Sequence, residues 1–235
     1  TVRPNLILDL GCGTGRNGIL LKDKYKKTRL INYDFSINML QEAKKKQYNH
    51  FNNVLDVNKS DFVCGDIEDL SFFKNTFDII WSTSSLQWVN NLSDTFKKIH
   101  EILKPGGFFI FSTFGPNTLI ELKNITKKIS TYQKTNDFIH PMNIDEMLAK
   151  QNFINPLINS EEFSLRYKDI NKLFSDLKNI GATSGFERKK NGLSGKSFIK
   201  SISDGYSEYS YDGFFPATYE VVYGYAWKAT IDNKI

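Results

Sequence analysis

Three glycines at alternate positions, which follow an aspartate in the sequence, are the residues of this chain best suited to bind a ligand. The segment Asp9–Gly15 reads Asp-Leu-Gly-Cys-Gly-Thr-Gly and includes the end of an apolar run that starts at Leu6. The run predicts a strand over Leu6–Leu10 that is buried on both faces, as in a parallel sheet. Because glycine has no Cβ, the backbone after this strand can turn tightly and approach a ligand closely. Open α/β sheets bind their ligands at such turns, at the carboxyl ends of strands.

The spacing of these glycines narrows the choice of ligand. A dinucleotide fingerprint needs G-x-G-x-x-G, and the position of its third glycine holds Arg16 here. A Walker phosphate loop is absent as well. With no pyrophosphate to cradle, a nucleoside that carries an amino-acid tail fits better. The pattern resembles the first motif of class I methyltransferases that use S-adenosylmethionine. The alternative is an ordinary strand-to-helix turn whose glycines serve packing alone.

Two further aspartates stand at the ends of predicted strands. Asp34 closes the strand Leu30–Asp34, and its carboxylate can accept two hydrogen bonds from the cis-diol of a ribose. Asp66 follows a short strand that begins at Phe62, and the resemblance implies that Asp66 approaches the exocyclic amine of adenine while the Ile67 amide faces the ring. The predicted S-adenosylmethionine site consists of Asp9, Gly11, Cys12, Gly13, Gly15, Asp34, Phe35, Met39, Gly65, Asp66, Ile67 and Ser82.

Strand and helix patterns alternate along the first half of the chain, from Leu6 to about Thr113. This alternation indicates βαβ units and a parallel sheet. Asp78–Ser82 and Phe108–Phe111 predict the fourth and fifth strands, and we expect the helix between them to be capped at Ser93.

Beyond that point the pattern changes to helices and isolated strands. Met142–Lys150 predicts a helix capped at Asn143, and Glu161–Tyr167 predicts a strand. Thr218–Ala229 alternates along its length and predicts the final strand. The predicted fold class is α/β: a Rossmann-like class I methyltransferase with a mostly parallel seven-stranded sheet, an antiparallel last strand and a helical insertion before it.

We expect residues 1–235 to form a single methyltransferase domain. Its parts would be a cofactor-binding half (residues 1–115), substrate-specificity helices and insertion (116–215) and the final strand (216–229). The first predicted strand follows Thr1 almost at once, whereas many class I methyltransferases carry a helix before it. We therefore expect an amino-terminal segment to be missing.

Composition indicates a globular protein in a reducing compartment. The 235 residues are 40% hydrophobic, and no apolar run is long enough to span a bilayer. The two cysteines give no disulfide framework, which favours a cytoplasmic location. The three histidines stand far apart and no cysteine pair has ligand spacing, so we expect no metal site. The net charge of +5 favours an acidic partner.

The segment after the fourth predicted strand bears on the choice of methyl acceptor. Amino-directed nucleic-acid methyltransferases carry Asn/Asp-Pro-Pro-Tyr there, but this chain has Ser82–Trp88 instead. No cysteine stands where a nucleophile that attacks cytosine would be expected, and no basic groove with stacking aromatics is evident. Nucleic acid is therefore not the expected substrate, and no membrane partner is expected.

Other segments sharpen the resemblance to one family. Ser84–Trp88, Phe111–Leu119, Asp176–Thr183, Gly192–Lys196 and Pro216–Gly224 resemble the malonyl-[acyl-carrier protein] O-methyltransferases of biotin synthesis. The resemblance covers essentially the whole chain, although lysine stands at some positions where relatives often have arginine. It implies methylation of the free carboxyl of a malonyl group carried on acyl carrier protein, with S-adenosylmethionine as the cofactor.

A carboxylate acceptor is already ionised at pH 7, so no general base is expected. The substrate-side candidates are Ser85, Gln87, Trp88, Arg166, Arg188 and Tyr223. Acyl carrier proteins are acidic, and the candidates for docking one are Arg188, Lys189, Lys190, Lys196 and Lys200. The alternatives are a relative of the complex I assembly factors that modifies a protein arginine, another small-molecule methyltransferase, and a non-enzymatic cofactor-binding scaffold.

Overall fold

The computed structural model describes residues 3–51, 60–129, 138–179 and 195–230, without the side chains of residues 179 and 195–199. Within these ranges the strands form a seven-stranded sheet in the order β3-β2-β1-β4-β5-β7-β6. The strands are β1 (Leu6–Leu10), β2 (Arg29–Asp34), β3 (Ser60–Cys64), β4 (Phe77–Thr83), β5 (Leu103–Phe114), β6 (Phe153–Tyr167) and β7 (Phe215–Lys228). The α-helices are α1 (Arg16–Lys24), α2 (Ile37–Phe51), α3 (Leu92–Ile102), α4 (Ile120–Ile129), α5 (Pro141–Lys150), α6 (Ile170–Asn179) and α7 (Gly195–Gly205). Short 3-10 turns cover Leu86–Trp88 and Tyr206–Glu208.

The strands that precede the predicted cofactor motifs all run in the same direction. β1 pairs in parallel with β2 on one side and β4 on the other, so that Leu8 faces Ile31 and Ile80. β3 continues this order beside β2, and β5 continues it beside β4. The carboxyl ends of β1 to β4 therefore meet at one edge of the sheet. The predicted fold class is confirmed, with a mostly parallel sheet and an antiparallel end.

The described residues fall into two compact units. The first lies within residues 1–113, 141–159 and 222–235, and the second within residues 114–140 and 160–221. β6 and β7 each contribute to both units. All of the predicted cofactor residues belong to the first unit.

Each unit has its own apolar core. In the first, Ile7, Leu30 and Ile79 of the sheet pack with Leu21 of α1. In the second, α4, α6, α7 and the 3-10 turn after α7 bury a cluster that includes Leu122, Ile125, Leu173, Leu177, Ile202 and Tyr206. No helix in the described ranges combines the length and apolar character needed to cross a membrane.

Both predicted helix caps are wrong. α3 begins at Leu92, and its cap is Asn91, whose side-chain oxygen accepts a hydrogen bond from the Asp94 amide at 3.1 Å. Ser93 instead accepts a hydrogen bond at 3.0 Å from the side chain of Gln151. α5 begins at Pro141, a residue favoured at the first helical position, so Asn143 lies inside the helix.

Two strands, β5 and β6, begin much earlier than predicted. β5 starts at Leu103 rather than Phe108, although Gly106 within it has a φ of 76°. β6 starts at Phe153 rather than Glu161. The first half of β6 was missed because it contains polar residues and Pro156, which are uncommon in strands. Asn155 also interrupts the extended backbone, with a φ of 48°.

Candidate functional site

The turn after β1 is closely packed at both ends and open in the middle. Gly11, Gly13 and Gly15 have φ values of 73°, 52° and 77°, which side chains rarely permit. A Cβ on Gly11 would lie 2.3 Å from the Ser85 Cβ, and one on Gly15 would lie 2.6 Å from the Ala43 Cβ. A Cβ on Gly13 would meet nothing within 4 Å. The open space over Gly13 is where a ligand can approach the backbone.

Asp34 ties the turn after β1 to the turn after β2. One carboxylate oxygen accepts a hydrogen bond from the Gly13 amide at 2.8 Å, and the other accepts one from the Ser36 amide at 2.9 Å. The Tyr33 carbonyl accepts hydrogen bonds from the amides of Gly11 and Cys12 at 2.8 and 3.0 Å. A carboxylate has about four acceptor sites. The half-buried Asp34 therefore keeps the capacity to accept further hydrogen bonds from a ligand.

Asp9 brings a buried acidic group to the same region. It is fully buried, and neither oxygen makes a hydrogen bond of regular geometry within the described residues. Burial, assisted by the negative charge of Asp34, raises the pKa of Asp9 to about 7, while the Gly18 backbone amide opposes the rise. Burial and then the charge of Asp9 also raise the pKa of Cys12, so that residue is a neutral thiol. A buried carboxylate without a partner is costly, and a cationic ligand nearby would relieve that cost.

The loop after β3 is held in place by a tyrosine. The Tyr33 hydroxyl donates a hydrogen bond to the Asp66 carbonyl at 3.0 Å. A Cβ on Gly65 would lie only 2.1 Å from that hydroxyl oxygen, so this approach requires glycine. The Asp66 side chain is exposed and accepts a hydrogen bond from the Glu68 amide at 2.8 Å.

Apolar surface is available on the segment that follows β2. Phe35 is 77% exposed and Met39 is 42% exposed. At the start of α2, the Ser36 hydroxyl accepts a hydrogen bond from the Met39 amide at 3.4 Å. Exposed side chains of this kind suit the flat, largely apolar faces of a base.

Two serines, one at the end of β4 and one just after it, form hydrogen bonds next to the glycine turn. The Ser85 hydroxyl donates to the Leu10 carbonyl at 3.2 Å and lies 2.6 Å from the hydroxyl of the buried Ser82. Gln87 donates from its side-chain nitrogen to the Ser84 carbonyl at 2.6 Å, and its side-chain oxygen has no partner in the described ranges. Trp88 is 45% exposed. Of the predicted substrate-side residues in this segment, Trp88 therefore has an exposed side chain, whereas the side-chain oxygen of Gln87 is buried.

The other substrate-side candidates and the carrier-docking candidates are distributed over both units. Tyr223 is exposed on β7 in the first unit, and Arg166 is exposed on β6 in the second. Lys200 is exposed on α7 of the second unit. The remaining candidates, which are Arg188, Lys189, Lys190 and the side chain of Lys196, lie outside the described residues. Their roles stay predictions.

Two polar contacts near the site were not predicted from the sequence. The Asn17 side chain of α1 donates to the Thr83 hydroxyl at the end of β4. The Glu68 carboxylate accepts three hydrogen bonds from Asn90 and Asn91. Glu68 stands next to a predicted cofactor residue in the run Asp66–Asp69, and that proximity is the signal that could have drawn attention to it.

Comparisons with known proteins agree with the fold. A family model described as a methyltransferase domain matches residues 8–111. A malonyl-[acyl-carrier protein] O-methyltransferase of Methylovorus sp. (strain MP688) is 36% identical over 225 residues, which are 96% of this chain and 76% of the relative. One from Gallionella capsiferriformans (strain ES-2) is 37% identical over 227 residues, which are 97% of this chain and 78% of the relative.

Solved structures share the architecture at low sequence identity. Phosphoethanolamine N-methyltransferase 2 of Haemonchus contortus, in complex with S-adenosyl-L-methionine, has a TM-score of 0.60 at 18% identity, covering 98% of this chain and 50% of that chain. Geranyl diphosphate C-methyltransferase of Streptomyces coelicolor A3(2), in complex with Mg²⁺, geranyl diphosphate and S-adenosyl-L-homocysteine, has a TM-score of 0.56 at 15% identity, covering 97% and 73%.

Proposed function

The chain belongs to the malonyl-[acyl-carrier protein] O-methyltransferase family, and from this we propose that it methylates the free carboxyl of malonyl-acyl carrier protein. The reaction is an S-adenosylmethionine-dependent O-methylation. The methyl ester it forms would enter pimeloyl and biotin synthesis, because esterification removes a charge and leaves an end that resembles an ordinary acyl chain. The two free cysteines, Cys12 and Cys64, favour a cytoplasmic setting for this reaction.

S-Adenosylmethionine is the cofactor, and the described residues of the first unit fit it. The observation that carries the assignment is the Asp34 carboxylate beside open space over Gly13. Asp34 would accept hydrogen bonds from the ribose hydroxyls, and the glycine turn would accommodate the amino-acid tail. A positive ammonium or sulfonium group nearby would stabilise the ionised form of the buried Asp9 carboxyl.

The proposed reaction does not require a general acid or a general base from the protein. When bound, S-adenosylmethionine supplies a methyl group on a positively charged sulfur, and its transfer to a carboxylate oxygen leaves a neutral thioether. The malonyl carboxylate is ionised at neutral pH, so no residue has to remove a proton. Residues of the site would hold the carboxylate in line and exclude water. Ser82 and Ser85 need not act as bases, because their hydroxyls bond to each other and the Ser85 hydroxyl also donates to the Leu10 carbonyl.

Holding the malonyl carboxylate is the task we assign to the substrate-side residues. A guanidinium can bind a carboxylate with two parallel hydrogen bonds, and Arg166 and Arg188 are the candidates. Gln87 and Trp88 would line the approach to the cofactor from the turn after β4. The acidic carrier protein would dock on the basic residues Arg188, Lys189, Lys190, Lys196 and Lys200.

A methyl-transfer assay followed by mass spectrometry tests the proposal. Malonyl-acyl carrier protein, a small malonyl thioester and an arginine-containing protein substrate would each be incubated with the chain and S-adenosylmethionine. We expect the carrier-bound malonyl group to gain one methyl as a base-labile ester. Methylation of arginine alone would contradict the proposal, and so would cofactor binding without transfer to any malonyl thioester.

A further inference from the structure

The turn Leu86–Trp88, which carries Gln87 and Trp88, is anchored at both ends to loops that belong to the cofactor site. At its start, Ser85 donates to the Leu10 carbonyl at 3.2 Å and packs against Gly11. Just beyond its end, Asn90 and Asn91 bind Glu68, which follows the loop after β3. The turn after β4 therefore cannot shift without moving contacts to two cofactor-binding segments.

The contact beyond the end of the turn consists of three hydrogen bonds, all accepted by the Glu68 carboxylate. One oxygen of Glu68 accepts hydrogen bonds from the backbone amides of Asn90 and Asn91, both at 3.0 Å. Its other oxygen accepts one from the Asn90 side-chain nitrogen at 2.8 Å. The Asn91 amide, followed by the Asn90 side chain, holds the pKa of Glu68 below its usual range. At neutral pH the anchor is therefore an ionised carboxylate, whose hydrogen bonds are stronger than those of a neutral group.

Glu68 is in turn fixed to the loop after β3. Its amide donates to the Asp66 carboxylate at 2.8 Å, and the Lys98 ammonium donates to its carbonyl. The Asp66 carbonyl is held by the Tyr33 hydroxyl at 3.0 Å. On the far side, Asn91 is the cap of α3, whose apolar face is buried in the core. The contact thus joins the loop of Asp66 to the start of a firmly packed helix.

We propose that Glu68 is a positioning residue, through which cofactor binding at Gly65–Ile67 fixes the place of the turn that carries Gln87 and Trp88. Ordering of the loop after β3 by the cofactor would strengthen the Glu68 contacts and so restrict Leu86–Asn91. The inference concerns the response to cofactor and stands whichever methyl acceptor the enzyme uses.

Amide hydrogen exchange with and without S-adenosylhomocysteine tests this. In the unmodified protein we expect the product to slow exchange across Leu86–Asn91 by roughly threefold to tenfold, a range typical of coupling between linked sites. In Glu68→Ala the product should still bind and slow exchange at Gly11–Gly15, but the slowing at Leu86–Asn91 should be lost. Glu68→Gln keeps an oxygen for both backbone amides, so it should restore part of the response.

Asp69→Asn is the matched control, because it removes one negative charge from the neighbouring residue. The Asp69 side chain is 84% exposed, and within the described residues its carboxylate forms a 3.7 Å ion pair with Lys98. We expect this variant to respond as the unmodified protein does. Three results would each overturn the proposal: no slowing at Leu86–Asn91 in the unmodified protein, full slowing in Glu68→Ala, or equal losses in Glu68→Ala and Asp69→Asn. If Glu68→Ala does not fold, Asn90→Ala, which removes one of the three hydrogen bonds, takes its place in the comparison.

Discussion

Asp34 accepts hydrogen bonds from two loops while keeping acceptor capacity for a ligand. Its oxygens lie 2.8 Å from the Gly13 amide and 2.9 Å from the Ser36 amide. The carboxylate is thus set in place before any ligand arrives, which lowers the cost of ordering the site on binding.

Replacing Asp34 by alanine should weaken binding of S-adenosylhomocysteine about tenfold to a hundredfold, because hydrogen bonds to charged groups contribute about 1.5–3 kcal/mol. Titration calorimetry measures the change. Asp34→Asn, which keeps one acceptor oxygen, should lie between the alanine variant and the unmodified protein. Equal affinity in all three proteins would show that Asp34 does not contact the ribose.

The raised pKa of Asp9 makes the stability of the protein depend on pH. The direction is opposite to that for an ion-paired aspartate, whose pKa is lowered by folding. Its pKa in the folded protein is about 7, against an ordinary value of 3.8, so the folded state holds a proton that the unfolded state has lost. Stability should therefore fall as pH rises from about 4 to about 7 and then level off.

Asp9→Asn should remove that slope. Relative to the unmodified protein, the variant should gain about 2–4 kcal/mol in unfolding free energy between pH 4 and pH 8. Urea denaturation of both proteins across this range gives the difference, in which the titration of groups that do not interact with Asp9 cancels. Parallel stability curves would contradict the raised pKa.

Helix starts and strand lengths depend on contacts that a local pattern does not contain. β1 was predicted at its observed bounds because an apolar run ends at a glycine. The cap of α3 was misplaced because Asn91 and Ser93 are both favourable cap residues, and the choice depends on which one can reach a free amide. Glu68 was missed for a related reason, since its partner Asn90 is 22 residues away and no local periodicity links the two.

Asn91→Ala should destabilise the protein by about 1 kcal/mol through loss of the α3 cap. Ser93→Ala should cost less, since it removes a single hydrogen bond with Gln151. Urea denaturation of the two variants side by side gives the comparison. A larger loss of unfolding free energy in Ser93→Ala than in Asn91→Ala would indicate that Ser93, as the sequence predicted, is the cap of α3.

The two units separate some of the sequence motifs but not all of them, since Pro216–Gly224 contributes to both. The segments generic to methyltransferases, such as Asp9–Gly15, lie in the first unit, whereas Asp176 and its neighbours in α6 lie in the second. The generic motifs predicted fold and cofactor, because a glycine turn and strand-end acids have direct physical consequences. The acceptor could be inferred only from family resemblance, since hydrogen bonding to a malonyl carboxylate imposes no particular spacing on the chain.

The net charge of +5 leads to a prediction about the carrier protein. If an acidic carrier docks on the basic residues around Lys189 and Lys190, raising NaCl from about 50 to 500 mM should lower kcat/KM for malonyl-acyl carrier protein about tenfold, because the Debye length shrinks from about 14 to 4 Å. A small malonyl thioester lacks the carrier's acidic surface, so its kcat/KM should change little.

Charge reversal locates the surface that produces this salt dependence. Lys189→Glu with Lys190→Glu should weaken the carrier reaction and reduce its salt dependence, while binding of S-adenosylhomocysteine stays unchanged. The control is Lys26→Glu with Lys27→Glu, an exposed pair just before β2 and thus at the sheet edge opposite the glycine turn. This control changes the net charge by the same amount, so equal effects of the two double variants would mean that overall charge, rather than a docking surface, attracts the carrier. Loss of carrier activity in the first pair alone would place the docking surface at Lys189 and Lys190, since only a local contact distinguishes two variants of identical net charge.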